Sequence, residues 1–231
     1  MVYYVALPFC LVFSLIFCFN RGKGFSVKNL MLKCISSLCF ILTAVFALFS
    51  NQNSIVYGAL IIFGSVLGLL GDIVLDLKGI YEADKNICMK SRFIFFVFGH
   101  IFYSAAIIYS SGIKLWAILL CVLFSLVFSV LNILSAKITK VEFGDYKRIV
   151  FIYTVFLAMT MSLSFAAALS SGFAKPYVLL LIGSVLFTLS DAILSMTYFG
   201  KNKDTFAYYF LNHLCYYAAQ YLIVSSILFI K

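Results

Sequence analysis

Apolar residues fall in eight blocks along this chain, at roughly 2–19, 30–50, 55–75, 92–111, 113–136, 149–171, 176–199 and 206–230, with short polar breaks between them. No block alternates with the period of two that a half-buried strand requires. Each is close to the ~20 residues of helix that cross the hydrocarbon layer of a bilayer. Inside lipid an isolated strand leaves its backbone groups unpaired, so long apolar runs must be helices. The pattern predicts an all-α polytopic membrane bundle of eight transmembrane helices. It forms a single integral membrane domain over 1–231, with no room for a soluble one.

The pattern also occurs twice. Residues 63–77 and 182–196 align without a gap at an offset of 119, and Gly64/Gly183, Ser65/Ser184, Leu67/Leu186, Asp72/Asp191 and Leu75/Leu194 are identical pairs. A second echo follows each copy, as H-x-x-Y-x-A-A from His100 and again from His213. Lys28 and Lys147 fall at the same offset of 119. The step is four helices, an even number, so both copies point the same way through the membrane. This predicts a parallel 4+4 internal repeat with halves of about 1–111 and 112–231 and a site between them. Gly64, Gly68, Gly71 and Gly183 would let helices approach closely.

Composition agrees: 65% of residues are hydrophobic, 11% are charged, and mean hydropathy is +1.11. A water-soluble domain of this size needs far more polar surface. Fourteen of the 17 Lys and Arg residues flank the odd-numbered loops, leaving Lys114, Lys175 and Lys231 on the opposite side. The asymmetry puts the odd-numbered loops in the cytoplasm and both termini outside, as in a multi-pass protein of the cell membrane. The net charge of +9 is then a topology and headgroup signal, and the expected partners are membrane lipids. Dispersed single cations make no nucleic-acid-binding face. The first block reads as a mature span and not as a signal peptide. The seven cysteines show no C-x-x-C pair and read as small apolar filler.

The candidate chemistry lies where polarity is costly. A charged group near the bilayer centre costs ~2.5–3.5 kcal/mol on insertion scales, yet Asp72 and Asp191 recur in the two copies. Two carboxylates in one pocket repel unless one holds a proton, giving an acid beside an electrostatic stabiliser. His100 and His213 would set that balance or shuttle protons, and Tyr103, Tyr216, Tyr217 and Gln220 lie one to two turns deeper. The plainer reading is that the histidines and tyrosines only pack. Asp76, one turn beyond Asp72, reads as an interfacial or loop-facing carboxylate. Two Asp and two His allow zinc or iron by ligand type, but no metal-binding spacing appears, and neither metal nor cofactor is expected. Ser190 has no visible activation as a nucleophile.

The set Gly71-Asp72-x-x-Leu75, Gly99-His100-x-x-Tyr103, Phe187-x-x-Ser190-Asp191-x-x-Leu194 and Tyr216-Tyr217-Ala218-Ala219-Gln220 resembles the YhhN family of multi-pass membrane proteins. The likeness covers nearly the whole chain, with Lys28 opening the second helix and Tyr153 in the sixth. Characterised animal members are lysoplasmalogenases, which cleave a vinyl ether to a fatty aldehyde and a glycerophospho-base. The resemblance thus implies a lysophospholipid or ether-lipid substrate. Asp72 and Asp191 would be acid and stabilising carboxylate, in either order, with His100 orienting water. Tyr103, Tyr153, Ser190, His213, Tyr217, Gln220 and Lys28 would bind substrate, and Lys28, Arg92 and Arg148 would meet phosphate at the rim. The competing class is a proton-coupled transporter or a non-catalytic lipid-binding protein, since carriers also use parallel repeats with midplane carboxylates. Headgroup, chain length and oligomeric state stay open.

Overall fold

The computed structural model describes residues 2–21, 26–200 and 205–230. Lys23, Lys201, Lys203 and Lys231, counted above in the charge distribution, lie outside the described residues. Eight α-helices account for nearly all of it: α1 (Val2–Arg21), α2 (Val27–Ser50), α3 (Ile55–Ile80), α4 (Lys85–Ser111), α5 (Leu115–Thr139), α6 (Lys147–Ser170), α7 (Lys175–Phe199) and α8 (Phe206–Ser225). Seven are long and apolar enough to cross a membrane; α8 falls short on apolarity. Its 20 residues reach ~30 Å, a full hydrocarbon crossing. What lowers its hydropathy is Asn212, His213, Gln220 and five tyrosines. The bundle accommodates them because α8 packs against α1, α2, α3 and α7, which shield it from lipid.

The apolar blocks mark the helices well, except at one end. α3 runs five residues past its block to Ile80, and α4 begins at Lys85 instead of residue 92. Hydropathy reports where lipid ends, whereas helix propensity reports where hydrogen bonding ends. Lys, Asp and Asn at the interface stop the first without stopping the second.

Neighbours in sequence pack as pairs: α1 on α2, α3 on α4, α5 on α6 and α7 on α8. α2 packs on α3 as α6 does on α7, while α4 meets α6 as α8 meets α2. The connections α1–α2, α3–α4, α5–α6 and α7–α8 share one end, called here the basic end. There Glu142 N–H donates to Phe199 O at 2.9 Å, joining the α5–α6 turn to the end of α7. At the other end Tyr3 bonds Ser225 (2.6 Å), and Asn51 Nδ2 donates to Ile227 O (2.9 Å) and Ile230 O (2.7 Å).

Two contacts fix how closely helices approach. A Cβ on Gly64 would lie 3.1 Å from Gly99 O, and one on Gly99 would lie 3.2 Å from Gly64 O, so α3 and α4 touch backbone to backbone. Across the other pair, a Cβ on Gly183 would meet Ala219 O at 3.1 Å. Without a hydrophobic drive between helices in lipid, such close packing is a main source of cohesion. α5 differs from the rest, with most of its surface facing outward and a stripe of Cys121, Ser125, Ser129 and Ala136 turned inward. Its polar ties are to α6: Ser129 Oγ donates to Phe151 O (2.7 Å), and Asn132 Nδ2 donates to Thr154 Oγ1 (3.3 Å).

Gly64→Leu should force α3 from α4 and cost about 1–3 kcal/mol, the usual price of overpacking. Thermal unfolding in detergent reads this directly, and an unchanged midpoint would show that the two backbones are not in contact.

Candidate functional site

The polar interior is assembled by spacing. Asp72 and Asp191 each lie eight residues before the end of their helix, α3 or α7, which sets both ~12 Å below the basic end. Asp76 follows Asp72 by one helical turn and so shares its face. Asp76 is 2% exposed, which corrects the reading of it as interfacial. It accepts an ion pair from Arg21 at 3.4 Å, at the end of α1, and another from Lys33 at 3.2 Å, in α2. α3 carries Asp76 into the bundle because the helix continues beyond its apolar block.

Lys33 bridges both α3 carboxylates, with its Nζ also 3.2 Å from Asp72 Oδ1. The other Asp72 oxygen accepts from Ser37 Oγ (2.7 Å) and from Tyr216 OH (2.8 Å). A hydrogen-bonded chain stands behind Tyr216: Tyr103 OH donates to Gln220 Oε1 at 2.9 Å, and Gln220 Nε2 donates to Tyr216 OH at 3.2 Å. Tyr217 meets Ser37 at 3.3 Å. Tyr103, Tyr217 and Gln220 therefore hold Asp72 and its neighbours in place. Against Asp191, Arg92 Nη2 stands at 3.2 Å from Oδ1, and Tyr153 OH donates to Oδ2. Arg92 is 3% exposed, so it is a buried partner of Asp191 and not a rim cation.

Asp72 and Asp191 face one small cavity of about 20 Å³, together with Lys33, Arg92, Ser190, His213 and Tyr216. That is room for one water molecule. Each carboxylate has its own cation, so their mutual repulsion is offset by Lys33 and Arg92 and not only by a shared proton. Ser190 is fixed there by Asn212 Nδ2, which donates to its carbonyl (2.7 Å) and hydroxyl (3.0 Å). His213 Nδ1 must be the protonated nitrogen, because it lies 2.8 Å from Tyr209 O and a carbonyl only accepts. In its neutral form the ring then keeps a lone pair on Nε2. His100 stands apart from this wall: its Nδ1 meets Thr160 Oγ1 at 3.1 Å, and its ring packs on Phe187 at 4.8 Å. Its Nε2 and Arg92 Nε are buried without a hydrogen-bond partner. Lys28 and Arg148 are exposed at the starts of α2 and α6. Among the described residues, no three His, Cys, Asp or Glu side chains are grouped to hold a metal ion.

The chain matches the YhhN family model over residues 28–227, most of its length. The chain belongs to the YhhN family. No curated protein and no solved structure matches it. The matched span contains both aspartates, Lys33, Arg92 and His213, whereas Arg21 lies before it on α1. Sequence reasoning counted Lys33 only as a topology signal and placed Arg92 at the rim as a phosphate contact. The available signal was position: Lys33 lies inside the second apolar block and Arg92 opens the fourth, where a cation needs a buried partner.

Arg92→Leu should cost about 3–5 kcal/mol, because it leaves Asp191 buried and unpaired. The double variant Arg92→Leu/Asp191→Leu should recover most of that loss. Thermal unfolding in detergent checks both, and additive losses would mean that the two groups do not interact.

Proposed function

We propose that this YhhN protein is a lysoplasmalogenase-type hydrolase, cleaving the vinyl ether of a single-chain ether phospholipid. The observation that carries the reading is the pair Asp72 and Asp191 facing one water-sized cavity with His213 on its wall. Family membership supports this reaction type, and the cavity offers the groups that reaction needs. A carboxylic acid protonates the β-carbon of the vinyl ether, turning the double bond into an oxocarbenium ion with the charge shared by carbon and oxygen. A water molecule adds to that carbon and loses a proton to a base. The hemiacetal so formed breaks its other carbon–oxygen bond, releasing a fatty aldehyde and returning a proton to the glycerol hydroxyl.

Asp72 and Asp191 supply one proton donor and one negative charge for the cation. His213, with an acceptor nitrogen in its neutral form, takes the role of water base that the sequence reading gave to His100. Tyr216, Gln220 and Tyr103 keep Asp72 oriented, while Tyr153 and Arg92 do so for Asp191. Ser190 completes the wall. Lys28 belongs to the surface, where it meets lipid headgroups.

The topology belongs to the same proposal. Matching packing partners in the two halves (α4 with α6, α8 with α2) support a 4+4 parallel repeat. The clustering of Lys and Arg at one end supports a cell-membrane protein with that end in the cytoplasm and both termini outside. A site gathered near one end and tightly packed beyond it favours hydrolysis over transport.

Asp72→Asn and Asp191→Asn should each abolish aldehyde release from an alkenyl lysophospholipid while the protein remains folded in detergent. Wild-type turnover in either variant removes the mechanism. Wild-type protein that releases no aldehyde in detergent, yet moves solute across sealed vesicles, would make it a carrier.

A further inference from the structure

Three cavities succeed one another along the α5–α6 pair, and their polarity changes in order. At the basic end, the α5–α6 turn encloses about 470 Å³ lined by Lys137, Lys140 and Lys147, with Glu142 sharing the rim. Next comes a cavity of about 70 Å³ under Phe128 and Asn132 of α5, where Arg92, Tyr153 and Asp191 form part of the lining. Beyond it lies an apolar groove of about 1020 Å³ between α5, α6 and α7. Thr188 and Met161 mark the join, in contact at 3.8 Å, with Thr188 in the middle cavity and Met161 in the groove.

The groove opens towards lipid: Trp116, Phe165 and Val185, all on its walls, are exposed. It exists because α5 is packed mainly on α6 and leaves its α7-facing side uncovered. From Cys121 in the groove to Lys140 at the turn is 19 residues of α5, or ~28 Å, close to the whole hydrocarbon thickness. From Asn132, level with Asp191, to Lys137 is five residues, or ~8 Å.

We infer that this run of cavities binds one single-chain phospholipid, taken laterally from the bilayer between α5 and α7. Its phosphate lies among Lys137, Lys140 and Lys147, its linkage passes Asp191, and its chain lies in the apolar groove. The order cationic, polar, apolar is that of such a lipid from head to tail. The gap of ~8 Å between the lysines and Asn132 suits a glycerol backbone between phosphate and linkage. Arg92 lines the middle cavity and keeps one guanidinium N–H, on Nε, without a partner, a donor left over for the glycerol oxygens. The groove has one open side and adjoins the middle cavity through the Thr188–Met161 contact, which suits one chain better than two. The placement of the linkage rests on the hydrolase reading, whereas the binding track itself rests on the cavities.

The test uses the full chain in detergent and a non-cleavable alkyl lysophospholipid bearing a photoreactive diazirine at the end of its chain. Cross-links are expected on residues 115–124 of α5 and 161–170 of α6. Ala166→Trp, which fills the groove, should lower labelling about tenfold, the equivalent of ~1.4 kcal/mol of lost binding. Ala117→Trp fills the groove from α5 and serves if the first variant does not fold. Leu119→Trp, on the outward face of α5, should leave labelling unchanged. Charge reversal of Lys137, Lys140 and Lys147 should weaken labelling by the phospholipid but not by a monoglyceride ether of the same chain. Labelling spread evenly over exposed α5, undiminished in a folded Ala166→Trp protein, or equally strong with a two-chain phospholipid overturns the proposal. Labelling as expected in a protein that releases no aldehyde from the vinyl-ether lipid overturns only the hydrolase reading.

Discussion

A charge inside a bilayer must find a partner, and this bundle is arranged around that demand. Asp72, Asp76 and Asp191 are neutralised by Arg21, Lys33 and Arg92, groups that come from five different helices. None of these five helices can move far without exposing a charge to hydrocarbon, at a cost of several kcal/mol. The ion pairs therefore fix the relative depth of α1, α2, α3, α4 and α7. The close glycine contacts set how near these helices lie. The polar helix α8 crosses the interior only because its neighbours cover it.

Two similar segments end in different surroundings. Asp72 is held by Lys33, Ser37 and Tyr216, and Asp191 by Arg92 and Tyr153. Each carboxylate is ion-paired and each accepts a tyrosine hydroxyl, but the cations come from non-equivalent helices. Two equal carboxylates could only compete for one proton. Two unlike ones can divide the work, as the proposed hydrolysis requires, beside the water-sized space they share.

α5 shows the converse of the tight centre. Small residues on its inner stripe tie it to α6, and most of its remaining surface faces outward. This loose edge opens a groove beside a closed polar site, the arrangement that the proposed lipid substrate would need.

Much of this was legible in the order of residues. Apolar blocks of crossing length fixed the helix count, because lipid admits no other backbone structure there. The recurrence of Asp72 and Asp191 marked the acidic pair, since a carboxylate at that depth is too costly to stand without a partner. Their partners were not legible. Whether Lys33, Arg92 or Asp76 faces lipid headgroups or the bundle interior depends on where the helix ends and how it is rotated, and hydropathy reports neither. Which of His100 and His213 lines the cavity also waited for the fold. Both follow the same motif, but only contacts between helices seal one ring behind Phe187 and bring the other to the cavity wall.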